Sequence, residues 1–282
     1  MARIIPYRKN KNIVSFINFC VERENIRRKK AAGKPPPWTN DRVLQLGHFC
    51  NVRRSDDRVT KWIGEWLISA PKEDKWFWCC IARWFNEPAT LSNLTPLLQF
   101  GWLPKPIYDR LCEVKKANRT LFRSAYIITG AIVKDGKTKH KAVVDDVLTP
   151  LWRTPPLIFK DNCEASWLSL RKYPGQGAFM AGQIVADWNT FGIINGLDTN
   201  TWATLGPGSA RGLYRVYGQA FKQKDAVPKF IELRNALATS TDFGKTLTLM
   251  DVQNCLCEYH KYCRGYTKMR YVPHREQLEI FP

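Results

Sequence analysis

The strongest constraint on this chain is a turn that opens directly onto a helix. At Tyr173-Pro174-Gly175-Gln176-Gly177 a Pro-Gly-x-Gly turn runs into Ala178 to Ile184, an apolar stretch. The glycines let backbone amides approach an anion closely, and the positive end of the following helix points at the same place. Such a turn suits the hairpin of a helix-hairpin-helix, in which Gly175 and Gly177 would lie against a phosphate backbone. The alternative is a plain connector between packed helices.

The rest of the chain is punctuated in the same way. Ile13, Phe16, Ile17, Cys20 and Val21 line one face of a helix over 12–32 whose far side is basic. The Gly33 to Trp38 segment, rich in proline, ends it, and Asn40-Asp41 offers a cap for the next helix. Helices are expected over 58–68, 76–86 and 91–117, the last broken between Gly101 and Pro106. Others follow over 142–150, 164–172, 178–190, 208–222, 227–238 and 248–263. One strand pair is predicted, Ala125 to Val133 and Lys139 to Val147, around the hairpin dipeptide Asp135-Gly136. The fold class is therefore mainly α, with a small β-hairpin insertion near 125–147. The chain reads as one catalytic unit of two helical lobes, near 1–160 and 161–270, with a polar tail at 271–282.

Charge narrows the partner. The 44 Lys and Arg against 25 Asp and Glu leave +19, a field that attracts polyanions, and phosphate neutralisation releases counterions. A membrane is the weaker reading, because no basic amphipathic helix, lipidation signal, signal peptide or long apolar run is present. Nine cysteines without framework spacing fit reduced thiols. The expectation is a monomeric DNA-binding protein of the host cytoplasm. Most of the 35 aromatic residues would fill its helical core.

Several segments carry candidate chemistry. His48 to Trp62 crowds imidazole, amide, guanidinium and carboxylate into one stretch. Its adjacent Arg53 and Arg54 can grip a phosphoryl group, or the stretch is a capped turn. Gly206-Pro207-Gly208-Ser209-Ala210-Arg211 is a second glycine-rich turn feeding a helix. It is either an anion site built from Gly206, Gly208, Ser209 and Arg211 or a tight turn between packed helices. Cys255, Cys257, His260 and Cys263 suggest zinc, but side chains on one continuous helix point around its circumference, so no metal is expected. Ala131 to Thr138 approaches a phosphate-binding loop, yet has Ala131 where the first glycine belongs and lies across the expected hairpin.

Two resemblances follow. Asp198 stands 21 residues beyond Gly177, which resembles the catalytic aspartate of helix-hairpin-helix DNA glycosylases; Phe179 replaces the lysine of their lyase-type members. More specifically, Phe49 to Trp62, Gly206 to Leu213 and Leu256 to Tyr262 together resemble the α-glutamyl/putrescinyl thymine pyrophosphorylase family, over residues 10 to 270. Tyr214 and His260 depart from its usual pattern. That family is implied in bacteriophage thymine hypermodification and is related to the helical domain of 5-hydroxymethyluracil DNA kinases.

The resemblance implies a glycosylase-like fold and an amino acid:DNA transferase without a cofactor. Its substrates would be double-stranded DNA containing phosphomethyl- or pyrophosphomethyluracil and a free amino acid or polyamine. Arg53, Arg54 and Arg211, helped by amides at Gly206 to Ser209, would receive the leaving phosphate. Asp187, Asp198, Glu258 and His48 are the candidate bases. Asp187, between Ala186 and Trp188, is expected among apolar neighbours that raise its pKa. Asn51, Asp57, Lys261 and Tyr262 are expected to hold base or substrate. A nucleotide-dependent kinase is the alternative, and a glycosylase-type or silent DNA-binding protein the next.

Overall fold

A computed structural model describes residues 10–123, 133 and 136–265, and these are helical, with no strand among them. They form two compact units, one made of residues up to Asp57 and from Thr199 onward, the other running from Arg58 to Asp198. The boundaries thus fall at 57/58 and 198/199, whereas the expected lobes met near residue 160.

The first unit contains α1 (Lys11–Ala31), the short α2 (Arg42–Leu46), α11 (Pro207–Tyr217), α12 (Gln223–Ser240) and α13 (Leu249–Cys263). Asn10 caps α1, and Asp41 caps α2 through the amide of Leu44, as the Asn40-Asp41 pair suggested. Glycine decides how α11 meets α13. A methyl group at Gly212 would lie 2.2 Å from the Leu256 carbonyl oxygen, and one at Gly208 would lie 2.9 Å from Cys257 Sγ. The two glycines, four residues apart, form a bare seam on which α13 lies.

The second unit contains α3 (Arg58–Trp66), α4 (Lys75–Phe85), α5 (Pro88–Leu98), α6 (Pro104–Lys116), α7 (Lys139–Ala142), α8 (Thr149–Arg153), α9 (Cys163–Leu170) and α10 (Ala178–Thr190). α4 is its axis: Phe77 to Phe85 is buried throughout, as an all-round apolar helix must be. Asn86 stops it in the left-handed conformation, φ 50°. The break before α6 falls where expected, at Gly101 with φ 85° and Pro104 in the first helical turn.

The predicted second strand is not a strand. Lys139 to Val147 is helical, forming α7 and then a wider π-type turn (Val143–Leu148) that leads into α8. Val143, Val147 and Leu151 recur every four residues and are buried on one face, and Lys141 pairs with Asp145 at 2.6 Å. Helical spacing and side-chain pairing outweigh the β-propensity of the valines. The first expected strand, apart from Val133, lies outside the described residues, as does the tail 271–282. Gly136 to Thr138 therefore leads into a helix, which removes the hairpin argument against a phosphate-binding loop. The alanine at 131 remains against it.

α9, a turn at Arg171 to Gly177 and α10 form a helix–turn–helix; α10 has the predicted limits, while α9 starts one residue earlier and ends two residues earlier than expected. Gly175 needs its glycine, because φ is +72° and an added methyl group would lie 2.9 Å from Val147 and 3.1 Å from Trp84. Two expected bases take structural parts here. Asp187, 1% exposed, is gripped by Arg83, whose Nε donates to its Oδ2 at 2.7 Å. Its surroundings are an ion pair, not the apolar pocket expected. Asp198 accepts from the amides of Cys163 (2.8 Å) and Glu164 (2.9 Å), so it caps α9.

Removing one partner of a buried ion pair strands the other charge, typically at a cost of about 3–5 kcal/mol. Asp187→Asn should therefore lower the thermal midpoint sharply, and the double variant Arg83→Met/Asp187→Leu should recover part of the loss. A melting curve like the parent's, with only activity lost, would instead return Asp187 to the catalytic list.

Candidate functional site

Residues 47 to 53 form no helix, so their buried backbone groups need partners from elsewhere. The first unit supplies them from α13, rung by rung. Asp251 Oδ1 accepts from the amide of Arg54 (2.9 Å), and Cys255 Sγ donates to the Val52 carbonyl (3.6 Å). Glu258 Oε2 accepts from the amide of Cys50 (3.2 Å), and Lys261 Nζ donates to the His48 carbonyl (3.3 Å). The loop thus runs antiparallel to α13, held by side chains spaced three or four residues apart.

From the opposite side α1 contributes Arg23, 4% exposed, whose Nε donates to the Cys50 carbonyl (3.0 Å) and whose Nη2 donates to the Asn51 carbonyl (2.9 Å). Asn51 closes the loop on itself: its amide donates to Asp57 Oδ1 (2.7 Å) and its Nδ2 to the Asp56 carbonyl (2.9 Å). Next to Arg23 lies the buried Glu24, with Arg27 and Arg28 bonded to it and Arg53 Nη1 at 3.7 Å. Burial pushes the Glu24 carboxyl up, but hydrogen bonds from Arg27 and Arg28 and the nearby charges outweigh it and hold the group below its ordinary value. Arg53 also donates to Thr246 Oγ1 (3.1 Å) and approaches Asp56 (3.6 Å).

Residues 49–57 of the first family-like segment and the other two segments, far apart in sequence, therefore belong to this unit. His48, Asn51, Arg53, Arg54, Asp57, Glu258 and Lys261 belong to one assembly. The arginines nevertheless act in different places. Arg53 joins the Glu24 and Asp56 group, while Arg54 is buried near Asp57 and Cys257. Arg211 is exposed on α11. Glu258 is paired with Lys261 at 2.6 Å, and the His48 side chain is exposed.

The 206–209 turn has a packing role. Ser209 Oγ donates to the Gly206 carbonyl and accepts from the Gly206 amide, both at 3.0 Å, and accepts from Gln253 Nε2 at 3.2 Å. Tyr262, expected to hold base or substrate, donates to Asp41 Oδ2 at 2.7 Å. Asp187, Asp198, Gly175 and Gly177 belong to the second unit. Gly177 begins α10 and has open space where a side chain would stand.

Arg23, Glu24 and Asp251 were missed by sequence reasoning. Arg23 and Glu24 follow Cys20 at the next two stripe positions, so the apolar face of α1 ends in a buried charge pair. That continuation of the stripe was the available signal.

Asp57 is a carboxyl of the assembly whose surroundings favour its protonated form. Burial pushes it up to about 6, with Glu258 adding to the rise, against the Asn51 amide and the charges of Arg54 and Arg23. A raised carboxyl pKa means that its stabilising contribution is complete below the unfolded value of 3.8 and is lost as pH rises through about 6. Asp57→Asn should abolish that loss, gaining on the order of 1–3 kcal/mol relative to the parent above pH 6 and little near pH 4. Melting curves at both pH values check this; an offset that does not change with pH would contradict it.

A second electrostatic feature flanks the assembly. Burial, then the charges of Arg215, Arg264 and Arg211, pull His260 down to about 4. Arg211 and Arg215 are exposed one helical turn apart, with no ion pair to a described residue. If they contact phosphates, Arg211→Gln/Arg215→Gln should make the slope of log K against log salt shallower by about 2. An unchanged slope would show that DNA lies elsewhere.

Residues 10–270 match the family described as "5-hmdU DNA kinase, helical domain". A curated relative, the 5-hmdU DNA kinase of Bacillus phage SP10, is 27% identical over 232 residues, 72% of this chain. The matched region is 35% of that kinase, so the chain spans about a third of its length. No solved structure matches. With the family's match extending over nearly the whole chain, the protein belongs to the 5-hmdU DNA kinase helical-domain family.

Proposed function

We propose that this chain modifies a 5-substituted uracil in phage DNA by exchanging the group on its exocyclic methylene carbon. In the reading we favour, an amine nitrogen displaces the phosphate or pyrophosphate of a (pyro)phosphomethyluracil. The carbon–oxygen bond breaks with its electron pair going to the phosphate, the amine lone pair forms the carbon–nitrogen bond, and the ammonium proton leaves to a base. The observation that supports this reading is that residues 48–54 and the 206–213 segment both pack on α13, which carries the third motif segment.

The assembly has parts suited to that chemistry. Arg27, Arg28 and Arg53 surround Glu24, with Asp56 beside two of them, so guanidinium charge exceeds carboxylate charge. Such a surplus stabilises a departing phosphate. Asp57, with its raised pKa and one oxygen outside the Asn51 bond, is suited to take the amine proton near neutral pH. The net charge of +19 supplies general affinity for DNA, and an extruded base would expose the reacting carbon. In this reading the helix–turn–helix at 163–190 is a helix-hairpin-helix whose Gly175 and Gly177 amides face the DNA backbone.

The second reading is phosphoryl transfer to 5-hydroxymethyluracil, favoured by the activity in the family's and the relative's names. The two separate in one experiment read by mass spectrometry of digested nucleosides. Phosphomethyluracil DNA with amines but no nucleotide should yield an amine adduct, lost at least about tenfold in Arg53→Ala, equivalent to about 1.4 kcal/mol of barrier. Hydroxymethyluracil DNA with ATP and Mg²⁺ should stay unchanged. Phosphorylation in the second arm with no adduct in the first would establish the kinase reading instead.

A further inference from the structure

In the second unit one cysteine faces a histidine. On α6, Cys112 Sγ lies 3.6 Å from Nε2 of His140 on α7, and Thr138 Oγ1 lies 3.4 Å from the same nitrogen. A thiol and a hydroxyl both have a hydrogen to donate, so Nε2 is the acceptor and the ring hydrogen sits on Nδ1. The ring is fixed in place: it is 4% exposed and stacks on Tyr108, with centroids 5.3 Å and planes 15° apart. Burial, then the charge of Lys115, pulls His140 below its ordinary value, which keeps the imidazole neutral at neutral pH. A hydrogen bond with Cys112 holds the Tyr108 phenol above its ordinary value, so Tyr108 keeps a proton to donate to sulfur.

This thiol is set apart from the others by access and by charge. Of the nine cysteines, Cys50, Cys112, Cys257 and Cys263 are half-buried and the rest are buried. Burial pushes Cys50 and Cys257 up to about 12 and raises Cys263 as well. None of those three thiols is hydrogen-bonded to an imidazole of a described residue. Around Cys112 the acidic side chains of α6 are already paired, Asp109 with Lys105 at 2.7 Å and Glu113 with Arg110 at 3.2 Å. Lys115 and Lys116, on the next turn of the same helix, are exposed and have no ion pair to a described residue. The approach to the sulfur is therefore basic.

We propose that Cys112 and His140 form a thiol-modification site for a low-molecular-weight disulfide that carries carboxylates. Cys112 Sγ attacks one sulfur of the disulfide as its proton passes to His140 Nε2. The S–S bond breaks with its electron pair going to the departing thiolate, which takes the proton from the imidazolium. The products are a mixed disulfide on Cys112 and a free thiol, so the incoming disulfide is itself the oxidant. Its carboxylates are drawn by Lys115 and Lys116. The site belongs to the second unit and does not depend on the base chemistry proposed above.

The reduced full chain, mixed with glutathione disulfide at neutral pH and low salt, should gain its first adduct at Cys112. Peptide mass spectrometry should show that adduct forming about tenfold or more faster than those at Cys50, Cys257 and Cys263. In urea, where the fold is lost, the preference should vanish. His140→Gln should slow the Cys112 adduct about tenfold while the chain stays folded by its melting curve. Because that ring is buried, a surface variant keeps the test open if His140→Gln unfolds. Lys115→Gln/Lys116→Gln should slow glutathione disulfide about threefold and leave cystamine, a dicationic disulfide, unslowed. A first adduct on another cysteine, a preference that survives urea, a folded His140→Gln chain reacting at the parent rate, or equal slowing of both reagents overturns the proposal.

Discussion

An irregular segment running alongside a helix is held in place only if side chains satisfy its backbone. Residues 48–54 meet that condition through Asp251, Cys255, Glu258 and Lys261 on α13 and Arg23 on α1. Each of these bonds joins chain segments separated by more than twenty residues, and four of them by about two hundred. Removing the Asp251 or Cys255 rung would take a partner from a buried backbone group, which costs about 1–3 kcal/mol. The position of Arg53, Arg54 and Asp57 depends on this ladder, and so does any chemistry they perform.

Close helix packing makes the ladder possible. α13 is brought onto α11 by the bare seam at Gly208 and Gly212, and the Ser209–Gly206 bonds lock the turn that starts α11. Residues that look like an anion cradle in sequence thus set the distance between two helices. In the other unit the Arg83–Asp187 pair and the Asp198 cap do comparable work, fixing α4 against α10 and the start of α9. A carboxylate beside glycine-rich turns reads as catalytic in one dimension and as scaffold in three.

Charge links the assembly to the proposed chemistry. Guanidinium groups gather around one buried glutamate, and exposed arginines flank His260.

Much of this was legible in the amino-acid order. Apolar periodicity and Gly/Pro punctuation determined most of the helices between Lys11 and Cys263, including the limits of α10 and the break before α6, because these signals act within a few residues of one another. The surplus of basic side chains determined that polyanions are favoured, since net charge needs no fold. Local signals misled at Lys139 to Val147, where valines suggest a strand and their four-residue spacing makes a helix. Only the tertiary structure decided which polar groups are spent on scaffold and which remain for chemistry. Arg23 with the Cys50 carbonyl, Asp187 with Arg83 and Glu258 with the Cys50 amide are contacts between distant segments, and a side chain's partner over such separations is set by packing, which no local pattern encodes.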